Sequence, residues 1–178
     1  MTTGYDALVI GGGQSGLAAT HHLRKHGLTV ALLEAGPEPV GSWPHYYDSL
    51  TLFSPARYSA LPGLLFPGDP DHYPHRDDVI DDLRQYAKTL DADIHTHQRV
   101  DTVTHNGHLF TAHTDTGASF TAPSCCVARA PRPRSTSPPG RTRRSAHSFS
   151  LRDEIVCRVP ARKSVVSRVL RPIRGWFV

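Results

Sequence analysis

The residues best placed to do chemistry are Gly11, Gly13 and Gly16, in the run Ala7-Leu-Val-Ile-Gly-Gly-Gly-Gln-Ser-Gly16, together with the acid Glu34, which follows about twenty residues after the glycines. The spacing is G-x-G-x-x-G. A phosphate group needs a turn whose backbone can come close to it, and a Cβ at Gly11 or Gly13 would hold the ligand off or forbid the required φ. Gly16 is expected to let a helix pack tightly against the preceding strand. A carboxylate at Glu34 can accept hydrogen bonds from both hydroxyls of an adenosine ribose and repels a 2'-phosphate, so the pattern fits FAD or NAD better than NADP.

These residues do chemistry only if the right elements carry them. Ala7 to Ile10 is short, apolar and closed by glycine, which reads as a buried parallel strand. A helix is expected from Gly16 to about Lys25, with Leu17, Ala18 and Leu23 on one side and a stop at Gly27. Its N-terminus would aim free N–H groups and the positive end of its dipole at a pyrophosphate. Leu28 to Leu33 is a second apolar strand, and it delivers Glu34 to the carboxyl edge of the sheet. The turn-rich run Ala35 to Pro44 should cross that edge, where ligands of such folds lie, placing Gly41, Ser42 and Trp43 along a bound dinucleotide. Trp43 can serve there either as a flat face for a ring or as an anchor for its own loop.

From Pro44 to Pro74 the chain is aromatic and proline-rich and reads as an ordered excursion over the ligand. Apolar positions Val79, Ile80, Leu83, Tyr86, Ala87 and Leu90 have helical spacing, with Asp77 as the expected N-cap and the aspartates on a solvated face. Val100 to His105, Asn106-Gly107, His108 to His113 and Ser119 to Ala122 alternate and turn like a small antiparallel meander. Cys125 to Ala128 can return to the main sheet. The histidines around the meander lack familiar metal-ligand spacing, and the vicinal Cys125 and Cys126 read as small buried hydrophobes.

The net charge of +4 conceals two halves: residues 1–128 hold 7 Lys+Arg against 14 Asp+Glu, and the remaining fifty hold 13 against 2. No charged leader with an apolar core opens the chain and no apolar run matches a membrane span, so a cytoplasmic location without membrane contact is expected.

Taken together, the Gly11 to Gly16 loop, Glu34, Gly41-Ser-Trp43, Tyr47-Asp-Ser-Leu-Thr-Leu-Phe-Ser-Pro-Ala-Arg-Tyr-Ser-Ala-Leu-Pro62, Phe66-Pro-Gly-Asp69, Tyr73-Pro74 and the helix near Asp77 resemble flavin-containing monooxygenases. The likeness is strongest to bacterial flavoprotein oxidoreductases and the plant auxin-synthesis branch, with Baeyer-Villiger monooxygenases further away, and it runs from about Tyr5 to Val127. It implies an α/β fold: an FAD-binding Rossmann-like domain over 1–128 with a parallel sheet and a small β-meander. By this likeness Gly11, Gly13, Gln14, Ser15 and Gly16 hold the pyrophosphate, and Glu34 holds the adenosine ribose. Gly41, Ser42 and Trp43 approach the flavin half, and Val100 offers its backbone to the adenine edge. In the family NADPH reduces the flavin, and the reduced flavin activates oxygen for transfer to a small-molecule substrate.

Two departures stand out. Many animal-type members place Thr-Asn where this chain has Leu52-Phe53, a pair that the plant-like branch also lacks, and no side chain can be assigned as a general acid or base. After Gly117 the only glycines are Gly140 and Gly175, so the family's second, NADPH-binding phosphate loop is expected to be missing. Instead Ala128-Arg-Ala-Pro-Arg-Pro-Arg-Ser and the residues after it form an Arg/Pro/Ser-rich tail over 129–178, expected to be irregular. The tail reads as a truncated or out-of-register remnant, as a solvated extension, or as a basic arm for nucleic acid or an acidic partner. The remnant reading is taken, because the likeness stops where charge and composition switch. A non-catalytic dinucleotide-binding module whose tail grips a polyanion is the alternative function.

Overall fold

The computed structural model describes residues 4–128 and, for the backbone alone, Ser148–Ser150 and Cys157–Arg158. Strand β1 (Ala7–Ile10) runs parallel to β2 (Val30–Leu33) on one side and to β7 (Ser124–Val127) on the other. β3 (Asp93–His95) extends the sheet beyond β2. The order is β3-β2-β1-β7, with β9 (Cys157–Arg158) antiparallel on the outer edge of β7.

Both faces of the parallel strands are buried, so they read as continuous apolar runs without alternation. The pleat divides them between two cores. Ala7, Val9, Val30, Leu32 and Cys126 face one way, against Leu17, Ala18 and Leu23 of helix α1 (Gln14–Lys25) and Val79, Leu83 and Tyr86 of α2 (Arg76–Thr89). Leu8, Ile10, Ala31, Leu33, Cys125 and Val127 face the other way, against Val103, Phe110, Ala112 and Ala122. Those four belong to the meander of β4 (Val100–His105), β5 (Phe110–Thr114) and β6 (Ser119–Ala122), with β8 (Ser148–Ser150) on the free side of β4. The result is three layers: helices, parallel sheet, meander.

The α/β expectation, the meander and the return of the cysteine strand agree with this arrangement. The cysteines are buried, one on each face of the sheet. Four details differ. Helix α1 starts at Gln14, because Gly13 is its N-cap, and it ends as expected, with Gly27 at φ +77. β3 went unread because three residues are too few to show a period. Helix α2 is capped by His75, not Asp77; Asp78, at the third helical position, reaches back to the His75 amide at 2.8 Å and closes a capping box. Asp82 is not on a solvated face: it lies four residues before Tyr86 on the buried side of α2 and is 4% exposed.

The excursion after Pro44 is also placed differently. Only His45 and Tyr46 of residues 44–74 line the cleft described below. The rest runs beside the helices, with Pro62 accepting from the Tyr86 hydroxyl at 2.7 Å and the Leu52 and Arg76 amides donating to Pro74 and Leu50. Ala56, Leu61 and Phe66 sink into the helical core, whereas Phe53 remains 95% exposed. Among the described residues no helix is long and apolar enough to cross a membrane. Apart from β8 and β9, the tail expected to be irregular lies outside the described residues.

Candidate functional site

The register of the parallel strands puts Ile10, Leu33 and Val127 level at the carboxyl edge. A cleft of about 650 Å³ opens there, and those three residues form part of its floor. The site therefore sits where chain direction and helix position converge on one sheet edge.

Of the residues expected to hold a ligand, Gly11, Gly13, Gln14, Ser15, Glu34, Gly41, Ser42, Trp43 and Val100 all line this cleft. Gly16 does not. A Cβ at Gly16 would fall 1.8 Å from the Gly11 carbonyl oxygen, so this position closes the strand–helix turn and acts behind the cleft wall. Gly11 has φ +103, and a Cβ there would sit 2.4 Å from the Ala128 carbonyl oxygen. Gly41, at φ +60, presses against the phosphate-type loop, its Cβ position only 2.8 Å from Gly13 Cα.

Helix α1 enters this loop with no side-chain cap at Gly13 and no acid in its first turn. Its leading N–H groups therefore lack a side-chain acceptor and carry the positive end of the helix dipole to the cleft. A helix N-terminus of this kind is suited to an anion. Glu34 is 8% exposed and already engaged: Oε2 accepts from the Gly12 amide at 2.5 Å and Oε1 from the Gly36 amide at 2.7 Å. Each oxygen keeps a further lone pair for a ligand hydroxyl.

Trp43 packs against the helical core, as an anchor for its loop would, and also lines the cleft, with its ring edge-on to Tyr46 at 5.5 Å. Sequence reasoning missed Gln98 and Arg99 as lining residues, whereas His45 and Tyr46 belong to the 44–74 stretch expected to lie over the ligand. The first two follow β3, and the amides of His97 and Gln98 donate to the carbonyls of Gly36 and Glu34. His97 has φ 55, the only non-glycine residue with positive φ among the described residues, and this turns the chain beneath the cleft. Recognising β3 would have located them. Among the described residues no group of three or more His, Cys, Asp or Glu could hold a metal ion.

A βαβ turn with uncapped helix amides, a buried acid closing the second strand and a cleft at the carboxyl edge define a dinucleotide-binding Rossmann-like protein. The chain belongs to the pyridine nucleotide-disulphide oxidoreductase family, whose model matches residues 8–154. The match extends past Val127, where the likeness was expected to stop, and takes in β8.

A CzcO-like oxidoreductase of Geobacillus kaustophilus is 34% identical over 126 residues, covering 71% of this chain and 36% of that protein. The indole-3-pyruvate monooxygenase YUCCA6 of Arabidopsis thaliana is 33% identical over 57% of this chain and 25% of its own length. Among solved structures, a flavin-containing monooxygenase from Stenotrophomonas maltophilia superposes with a TM-score of 0.67 at 38% identity, covering 72% of this chain and 38% of that one. The chain thus spans 36%, 25% and 38% of the length of these three relatives. These likenesses favour the oxidoreductase reading over a non-catalytic module with a polyanion-binding tail.

Proposed function

We propose that this chain binds FAD in the carboxyl-edge cleft and is the flavin-holding part of an oxidoreductase of monooxygenase type, acting on a small-molecule substrate. The single observation that carries the reading is the convergence of the uncapped α1 N-terminus, Glu34 and the Gly41–Trp43 loop on one cleft. The fit can be judged from the residues present. Gly13 and Gly41 leave a cradle that a Cβ would fill, and Glu34 is a buried acid with lone pairs to spare.

In this reading the amides of Gly13, Gln14 and Ser15 take the pyrophosphate, and Gly16 keeps the turn tight behind them. Glu34 orients the ribose, its own position fixed by two backbone donors. Val100 presents backbone to the adenine, and Gly41, Ser42 and Trp43 form the wall on the flavin side. FAD supplies the redox chemistry when bound; the chain contributes orientation and exclusion of water along that wall. No side chain is assigned as an acid or base.

The test is purification of the full chain followed by an absorption spectrum and chromatography of the heat-released cofactor. Flavin bands and released FAD are expected. A colourless protein that takes up neither FAD on titration nor flavin during expression overturns the proposal, and retention of NAD in its place would shift the same cleft to a nicotinamide-binding role.

A further inference from the structure

The cleft wall formed by residues 41–46 has few backbone ties of its own. Among the described residues its main-chain hydrogen bonds are local, from His45 to Ser42 and from Tyr46 to Trp43. Yet both ends of the segment are gripped by arginines of one helix. At the leading end, Arg84 meets Glu38 in a fork: Nε lies 3.1 and 3.0 Å from Oε1 and Oε2, and Nη2 donates to Oε2 at 2.6 Å. Asp81, one turn earlier on α2, holds the same guanidinium at 2.9 Å. At the trailing end, Arg76 donates through Nη1 to the Tyr46 carbonyl at 2.8 Å and pairs with Asp48, while Asp77 fixes its Nε at 2.8 Å. The Arg76 side chain is 15% exposed.

Eight residues separate the two arginines, about 12 Å along a helix, so they span the wall and do not duplicate one another. Between them Val40 is buried at 3%, and Gly41 rests on Gly13. Arginine suits this task because its planar fork fixes direction as well as distance. The Arg84–Glu38 pair is exposed enough to contribute little to global stability, so it is better explained by where it holds the chain than by how much it stabilises it.

We infer that Arg76 and Arg84 are positioning residues: through Tyr46, Asp48 and Glu38 they clamp the 41–46 wall against the phosphate-type loop and so set the shape of the flavin side of the cleft. The inference rests on the proposed FAD reading, and its test separates the two. Trp43 is made the only tryptophan by W176F, and R84Q, R76Q/R84Q and the charge-reversed pair E38R/R84E are compared in that background. Acrylamide quenching of Trp43 reports the wall without any cofactor, while FAD titration and the visible circular dichroism of bound flavin report the cleft.

In R76Q/R84Q, quenching should rise at least about twofold, and the Kd for FAD should increase about tenfold with a changed dichroism band, while far-ultraviolet dichroism stays that of the parent. E38R/R84E should recover part of the loss seen in R84Q, the remainder reflecting repulsion between Asp81 and the new carboxylate. Unchanged quenching in both arginine variants overturns the clamp whether or not FAD binds. A parent that binds no FAD overturns the proposed function, and the clamp is then judged on quenching alone. Should R76Q/R84Q fail to fold, R84Q and its reversal, at a half-exposed pair, decide the matter by the same criteria.

Discussion

The Gly12 amide donates to Glu34 Oε2 at 2.5 Å, joining the glycine turn to the acid that ends the neighbouring strand before any ligand arrives. The carboxylate is thus set by the fold, and in the proposed FAD reading it needs little rearrangement to receive a ribose, which lowers the ordering cost of binding.

Glu34→Gln should therefore weaken FAD binding about tenfold, since one of two anionic acceptors becomes a donor. Glu34→Ala should go further and also cost on the order of 1–3 kcal/mol of stability, because the buried Gly12 amide loses its partner. Spectral titration and urea melts measure the two effects; a Gln variant binding as tightly as the parent would remove Glu34 from the site.

Gly16→Ala should destabilise the fold by about 3 kcal/mol or more, since the new methyl would meet the Gly11 carbonyl oxygen, a backbone atom that cannot rotate away. Gly4→Ala, with nothing within 4 Å, is the control and should change the melting midpoint little. Equal midpoints for both would contradict the tight turn.

Burial pushes the Asp82 carboxyl from its ordinary 3.8 up to about 6. A raised carboxyl pKa in the folded state means that the folded chain prefers the protonated acid. Its contribution is fully present below about pH 4 and is lost as pH rises through 6. Asp82→Asn should accordingly stabilise the protein, and its advantage should grow by roughly 1–2 kcal/mol between pH 5 and pH 8. Chemical denaturation at the two pH values checks this, and a pH-independent difference would mean that the carboxylate is hydrated.

With FAD bound, the chain should show no NADPH-dependent oxygen uptake above that of free FAD, although dithionite should reduce the flavin and air reoxidise it. The residues after Gly117 contain only Gly140 and Gly175, too few for a second glycine-rich phosphate loop. Brisk NADPH oxidation by the isolated chain would require a nucleotide site elsewhere.

Much of the cleft was legible because its determinants are local. The glycine spacing, the apolar strands on either side and an acid at the end of the second strand are all readable within about forty residues. What escaped depends on contacts distant in sequence. The cap of α2 lies at His75 because Asp78 completes the box and Leu50 receives the Arg76 amide, neither of which a hydrophobic period reveals. Asp82 sits at helical spacing between Val79 and Tyr86, yet a count of acids on α2 suggests only a wet face. Arg99 and Gln98 come to the cleft through the three-residue strand Asp93–His95, too short to show alternation. The aromatics of residues 44–74 suggested a cover for the ligand; instead Phe66 is buried with Leu61 against the helices while Tyr47, Phe53, Tyr58 and Tyr73 stay exposed, a tertiary outcome.

The end of β7 has one more implication. Ala128 donates its amide to Ile10, and its carbonyl oxygen abuts Gly11, so the polypeptide leaves the central sheet at the mouth of the cleft. Ala128 thus belongs at once to the bonding of the sheet and to the lining of the cleft. A side chain at position 11 that pushed the Ala128 carbonyl aside would therefore disturb the strand end and the cleft together.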